Sequence, residues 1–269
     1  MTDFVFIDSG VGGIPYMTTL LQRSPGAKCV YVADTANFPY GVKSHEQVVA
    51  CVIPLVEKII LRFKPAVIVL ACNTISVNAL EVLRRTFEGV QFVGTVPAIK
   101  LAASVSKKRC IGLLATKATC ENPYNIELKN KFASDCRLIN RADGELVSYI
   151  EHNAFTASRA ECLEAVRPAV EFFRSQDCDV IILGCTHFLN FTDIFEEACG
   201  QDIKVVDSVD GVVRHALEVR KSVKPDLPAV SGESDGAELF VTSLSDLEEK
   251  KQYDTLCKRF NINFRELKL

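Results

Sequence analysis

Ala66-Val67-Ile68-Val69-Leu70-Ala71-Cys72-Asn73-Thr74 is the stretch that decides the fold, because it recurs as Asp179-Val180-Ile181-Ile182-Leu183-Gly184-Cys185-Thr186-His187. In each copy an unbroken aliphatic run ends in a small residue, then a cysteine, then side chains that form hydrogen bonds. An apolar run without alternation reads as a strand covered on both faces. The segment after each cysteine reads as the start of a helix. Two strand-to-helix units of the same design, about one domain length apart, predict two similar α/β halves.

Working outward, short apolar runs bounded by turn residues place further strands at 4–7, 29–33, 91–94, 109–114, 136–139 and 204–206. Amphipathic segments at 45–63, 76–87 and 159–173 read as helices between them, with Pro54 expected to kink the first. Strand–helix alternation predicts parallel sheets with helices on both faces. The chain begins a second unit near Pro97 and leaves it near Asp210. This gives a first domain of residues 1–97 plus 211–269, carrying Cys72, and a second of 98–210, carrying Cys185. The tail holds a polar stretch at 221–236, a strand at 238–242 and a helix near 245–259. It is too small to fold alone and is expected to complete the first sheet.

In parallel sheets, ligands bind beyond the carboxyl ends of the strands. Cys72 and Cys185 both sit at that edge, each at a helix entrance where unpaired N–H groups favour negative charge. Such surroundings lower a thiol's pKa from about 8.5 toward neutrality, where it exchanges protons efficiently. One thiol on each side of an interdomain cleft could take a proton from one face of a substrate and return it to the other. That chemistry inverts a stereocentre. The Asn73-Thr74 and Thr186-His187 pairs could clamp substrate carboxylates. His187, two residues past Cys185, is placed to orient or protonate that thiol.

The glycine-rich Asp8-Ser9-Gly10-Val11-Gly12-Gly13 comes directly after the first strand, and its amides could approach an anion. A dinucleotide fingerprint needs glycine where Pro15 stands, so NAD binding is rejected. Asp8 could tune a nearby thiol or cap the next helix. Gly232-Glu233-Ser234-Asp235-Gly236 matches a nucleophile elbow only in letters. A Pro-bearing loop precedes it, a strand comes after it, and all four histidines (45, 152, 187 and 215) come earlier. It reads as a surface turn, and His45 and His215 as ordinary surface or cap residues.

Composition sets the class. The 269 residues are 48% hydrophobic, enough for one large domain or two modest ones, and the net charge of -3 offers no basic groove for nucleic acid or an anionic membrane. The acidic start lacks the basic and apolar regions of a secretory signal. The longest apolar runs are far too short to span a bilayer. A cytoplasmic protein is expected. The eleven cysteines are odd in number and contain no C-x-x-C pair. They therefore read as reduced thiols, most of them inert small hydrophobes, with no disulfide framework and no zinc-ligand spacing.

At these residues the chain resembles the glutamate racemases of the aspartate/glutamate racemase superfamily. The matching segments run through nearly the whole length. They are 6–13, Tyr31 to Asp34 with Pro39-Tyr40-Gly41, Ala71 to Thr74, Gly94 to Pro97, Leu114 to Thr119, Leu183 to Phe188, Val206 to Ser208, and Phe240 to Thr242. The resemblance implies two doubly wound parallel-sheet domains related by a pseudo-twofold axis, with the active site in the cleft between them. It implies interconversion of L- and D-glutamate without pyridoxal phosphate, any other cofactor or a metal, supplying D-glutamate for peptidoglycan. It also implies a homodimer.

By position, Cys72 matches the base for D-glutamate and Cys185 the base for L-glutamate. Asp8 matches an assistant to Cys72, and His187 and Glu151 assistants to the reaction, His187 on the Cys185 side. Substrate contacts carry over to Asp8, Ser9, Tyr40, Gly41, Asn73, Thr74, Thr186 and His187, with Thr116 and Thr119 as additions. Taken alone, Tyr40-Gly41 could be a turn and the two threonines helix caps. The family commonly has Ala where Ile75 stands and Pro-Leu where Leu189-Asn190 stands, at sites that line or support the cleft. The remaining readings are a sister enzyme acting on aspartate, a hydantoin or maleate, a two-domain small-molecule binding protein, or an inactive relative. The matched cysteines favour a racemase over the last two.

Overall fold

The computed structural model describes residues 2–223, 237–244 and 247–267, so the Gly232–Gly236 turn lies outside the described residues. The chain divides into two compact units, Met1–Thr95 with Val209–Leu269, and Val96–Ser208. Each is an α/β unit built on its own parallel sheet.

The strands of the first unit are β1 (Phe4–Asp8), β2 (Cys29–Ala33), β3 (Val67–Leu70) and β4 (Phe92–Gly94), joined after the excursion into the second unit by β9 (Ala237–Val241) and β10 (Ile262–Glu266). The second unit holds β5 (Cys110–Ala115), β6 (Arg137–Ala142), β7 (Val180–Leu183) and β8 (Lys204–Val206). The first sheet has the order β10-β9-β2-β1-β3-β4 and the second β6-β5-β7-β8. All the pairings between these strands are parallel.

Both faces of β1, β2 and β3 are buried, as their unbroken apolar runs require. Val5, Ile7, Val30, Val32, Ile68 and Leu70 pack into one cluster with the helices His45–Phe63 and Asn73–Thr86. Phe4, Phe6, Tyr31 and Val69, which alternate with them, are equally buried. The helix His45–Phe63 begins at Ser44, whose side chain accepts from the Gln47 amide while Gln47 reaches back to the Ser44 amide. Its buried residues Val48, Val52, Leu55, Val56 and Ile59 recur at helical spacing, and Pro54 lies inside the element without ending it. In the second unit Ile111, Leu113, Val180 and Ile182 form the core with Ile99 and Ala102.

The tail returns to the first sheet through β9, which pairs with β2 in register Val32↔Phe240. It then adds β10, a strand that the side-chain pattern does not announce, beyond β9. No helix among the described residues is long and apolar enough to cross a membrane.

Candidate active site

Strand order determines where each sheet opens. In the first, the chain runs from β1 outward to β2 on one side and to β3 and β4 on the other. The connections diverge at the carboxyl ends of β1 and β3, which is where doubly wound sheets bind ligands. Asp8 is the last residue of β1, and Cys72 comes two residues after β3. The second sheet repeats the plan at β5 and β7. Thr116 comes directly after β5, and Cys185 two residues after β7.

Cys72 is the N-cap of the helix Asn73–Thr86, with extended backbone, and is 5% exposed. Asn73 and Thr74 form that helix's first turn and are buried. Cys185 is likewise an extended N-cap, 6% exposed. The segment after it departs from the expected helix. Thr186–Phe191 is a 3-10 turn, and the α-helix begins only at Thr192. The amides at the entrance remain, but the aligned peptide dipole behind them is shorter.

Cys185 has one side-chain partner two residues away in the chain, and that partner has another far away in it. The Cys185 Sγ lies 3.8 Å from His187 Nδ1, and His187 Nε2 lies 2.8 Å from Glu151 Oε2. Glu151 sits in the helix Gly144–Asn153, and its side chain and that of His187 are both buried. Burial by itself would push the imidazole down. The neighbouring Cys185 sulfur and Glu151 carboxylate outweigh it and hold His187 well above the usual histidine range. The imidazole, shifted toward its protonated form, is wedged between the Cys185 sulfur and the Glu151 carboxylate.

On the other sheet, Asp8 is fully buried, and the Ser9 amide donates to its Oδ1 at 2.7 Å. Tyr40 opens a 3-10 turn, Tyr40–Val42, and donates its buried hydroxyl to Asp34 Oδ2. Burial first, then the Asp34 carboxylate, pushes that phenol far above its ordinary range, so it stays a donor. Asp34 also accepts from Asn37 Nδ2 at 2.9 Å and from Thr242 Oγ1 at 2.9 Å. Sequence reasoning gives Asp34 no place in the site, yet its hydrogen bonds tie the Tyr40-Gly41 turn to the residue after β9. A signal for it exists: a carboxylate just past β2, in the same end-of-strand position that singles out Asp8.

Thr116 caps the short helix Lys117–Cys120. Its Oγ1 accepts from the Thr119 amide at 3.3 Å and donates to Thr119 Oγ1 at 3.1 Å. Thr186 is buried at the start of the 3-10 turn. Within the first unit the fold thus gathers Asp8, Ser9, Cys72, Asn73 and Thr74 at the ends of adjacent strands. Within the second it gathers Glu151, Cys185, Thr186 and His187, with Thr116 and Thr119 at the end of the neighbouring strand.

A family model described as Asp/Glu/Hydantoin racemase matches residues 15–216. A glutamate racemase of Treponema pallidum (strain Nichols) is 38% identical over 261 residues, 97% of this chain and 94% of the relative. One from Granulibacter bethesdensis is 37% identical over 213 residues, 79% and 76% of the two chains. The crystal structure of Escherichia coli glutamate racemase in complex with L-glutamate and the activator UDP-MurNAc-ala superposes with a TM-score of 0.85 at 28% identity, covering 99% of this chain and 98% of that one.

Proposed function

Because this chain belongs to the Asp/Glu/hydantoin racemase family, we propose that it interconverts L- and D-glutamate and supplies the D-enantiomer for peptidoglycan. The observation that carries this reading is the repeated placement of a buried thiol at an N-cap beyond the central strands of each sheet. Glutamate, rather than aspartate, is favoured by near-full-length likeness to glutamate racemases.

Cys72 is the base for D-glutamate and Cys185 the base for L-glutamate. Whichever thiolate removes the Cα proton, the other thiol protonates the resulting carbanion, and the two exchange roles in the reverse reaction. Both thiols sit at N-cap positions beyond the carboxyl ends of central strands. His187, its pKa raised, faces Cys185 and can stabilise negative charge there, and Glu151 orients the imidazole. Asp8 assists Cys72. Ser9, Tyr40, Gly41, Asn73, Thr74, Thr116, Thr119 and Thr186 hold the substrate's carboxylates and amine; the Tyr40 hydroxyl, whose one proton goes to Asp34, is left to accept. The thiols do the proton chemistry without pyridoxal phosphate, and the working protein is a cytoplasmic homodimer.

Circular dichroism of each glutamate enantiomer, incubated with dialysed protein and no cofactor, tests the reading. Both signals should decay to zero while aspartate stays unchanged. Decay with aspartate alone would reassign the substrate. A requirement for pyridoxal phosphate would overturn the mechanism.

A further inference from the structure

Tyr31 lies in β2, outside the substrate-contact and catalytic residues, and its ring is fully buried. One hydroxyl there holds the glycine-rich loop at two points. The Gly13 amide donates to Tyr31 Oη at 2.9 Å, and the hydroxyl donates to the Gly10 carbonyl at 2.7 Å. The same oxygen stands 3.5 Å from Asp8 Oδ2. The loop's other side is walled by Ala71, the residue before Cys72. A Cβ built on Gly13 would lie 2.6 Å from Ala71 Cβ, 2.7 Å from its carbonyl oxygen and 3.0 Å from Tyr31 Oη. The loop is therefore clamped between a phenol on β2 and the end of β3. That clamp fixes the Asp8 carboxylate relative to the turn that carries Cys72.

We propose that Tyr31 is a positioning residue for proton transfer at Cys72, acting through residues 8–13 and not by touching the substrate. This rests on the reading of the chain as a glutamate racemase in which Cys72 serves the D-enantiomer. Removing the hydroxyl leaves the Gly13 amide and the Gly10 carbonyl without their buried partner, and each must find another or shift. A shift of the Asp8 loop detunes one thiol and leaves the Cys185–His187–Glu151 group, in the other unit, as it was. The effect is one-sided.

Tyr31→Phe tests it. Racemisation has an equilibrium constant of one, so kcat/KM must fall equally in both directions, by about 10- to 100-fold for a misplaced catalytic group. The diagnostic readout is the deuterium isotope effect on kcat/KM. With Cys72 slowed, the effect measured with 2-deuterated D-glutamate should rise relative to that with 2-deuterated L-glutamate. A general loss of structure would move both alike. Gly13→Ala provides a second variant that keeps the phenol but forces the loop off Ala71, and it should give the same one-sided signature. Wild-type turnover in folded Tyr31→Phe, or isotope effects that change together in both variants, overturns the proposal. Absence of glutamate turnover in the unmutated protein would instead overturn the functional reading, and the same assay reports it first.

Discussion

His187 Nε2 stands 2.8 Å from Glu151 Oε2 while its Nδ1 faces Cys185 Sγ at 3.8 Å. The imidazole thus links a carboxylate on the helix Gly144–Asn153 to a thiol at the end of β7. Glu151→Gln keeps the shape and removes the charge. Burial is then opposed by the Cys185 sulfur alone, and the imidazole's pKa falls from its raised value. Turnover should fall by roughly 100-fold, and the limb of the pH–rate profile that reports His187 should move to lower pH. An unchanged profile would mean that Glu151 does not tune the histidine.

The same pair makes stability depend on pH. A histidine whose folded pKa is raised contributes stability that is fully present below its unfolded value of about 6.5. That contribution fades as pH rises through the higher folded value. The stability margin of the unmutated protein over Glu151→Gln should therefore be largest near pH 6 and shrink in alkaline buffer, by the same linkage. Urea titrations at several pH values check this.

Gly184 carries β7 into the Cys185 turn. A Cβ there would lie 2.4 Å from Leu113 Cδ1 and 3.1 Å from the Leu114 carbonyl oxygen on the neighbouring strand. The side chain can shift, but the carbonyl accepts the Gly184 amide itself at 2.7 Å. Gly184→Ala should cost about 1–3 kcal/mol by overpacking and reduce racemisation by displacing Cys185. Denaturant melting and the dichroism assay read the two effects separately.

Ile75 stands where the resembled family commonly has alanine. Here its side chain is fully buried in the core of the first unit beside Cys72 and Ala79. Ile75→Ala should cost about 2–5 kcal/mol through the cavity it leaves, seen as a lower urea midpoint. A neutral substitution would show that the neighbouring side chains collapse into the space.

The strands that carry the two cysteines are legible in the sequence because burial on both faces leaves an unbroken aliphatic run, as in Val67–Leu70 and Val180–Leu183. Ile262–Glu266 is not, because an edge strand buries little. Only Ile262 is buried there, and the pairing with β9 is a backbone matter that side-chain pattern does not encode. The 3-10 turn after Cys185 is also hidden, since the buried Phe188, Leu189 and Phe191 have a spacing that an α-helix would equally bury. Two-residue spacing alone ties His187 to Cys185. Its contact with Glu151 spans 36 positions, and the Asp34 contact with Thr242 spans 208. Such partners exist only once the chain has folded.

The most direct test of the two-thiol account is racemisation by Cys72→Ser and Cys185→Ser, each assayed from L-glutamate and from D-glutamate by circular dichroism. The account predicts that both variants fold and neither interconverts the enantiomers, because each lacks the proton carrier for one face. Near-normal turnover by either variant would contradict it.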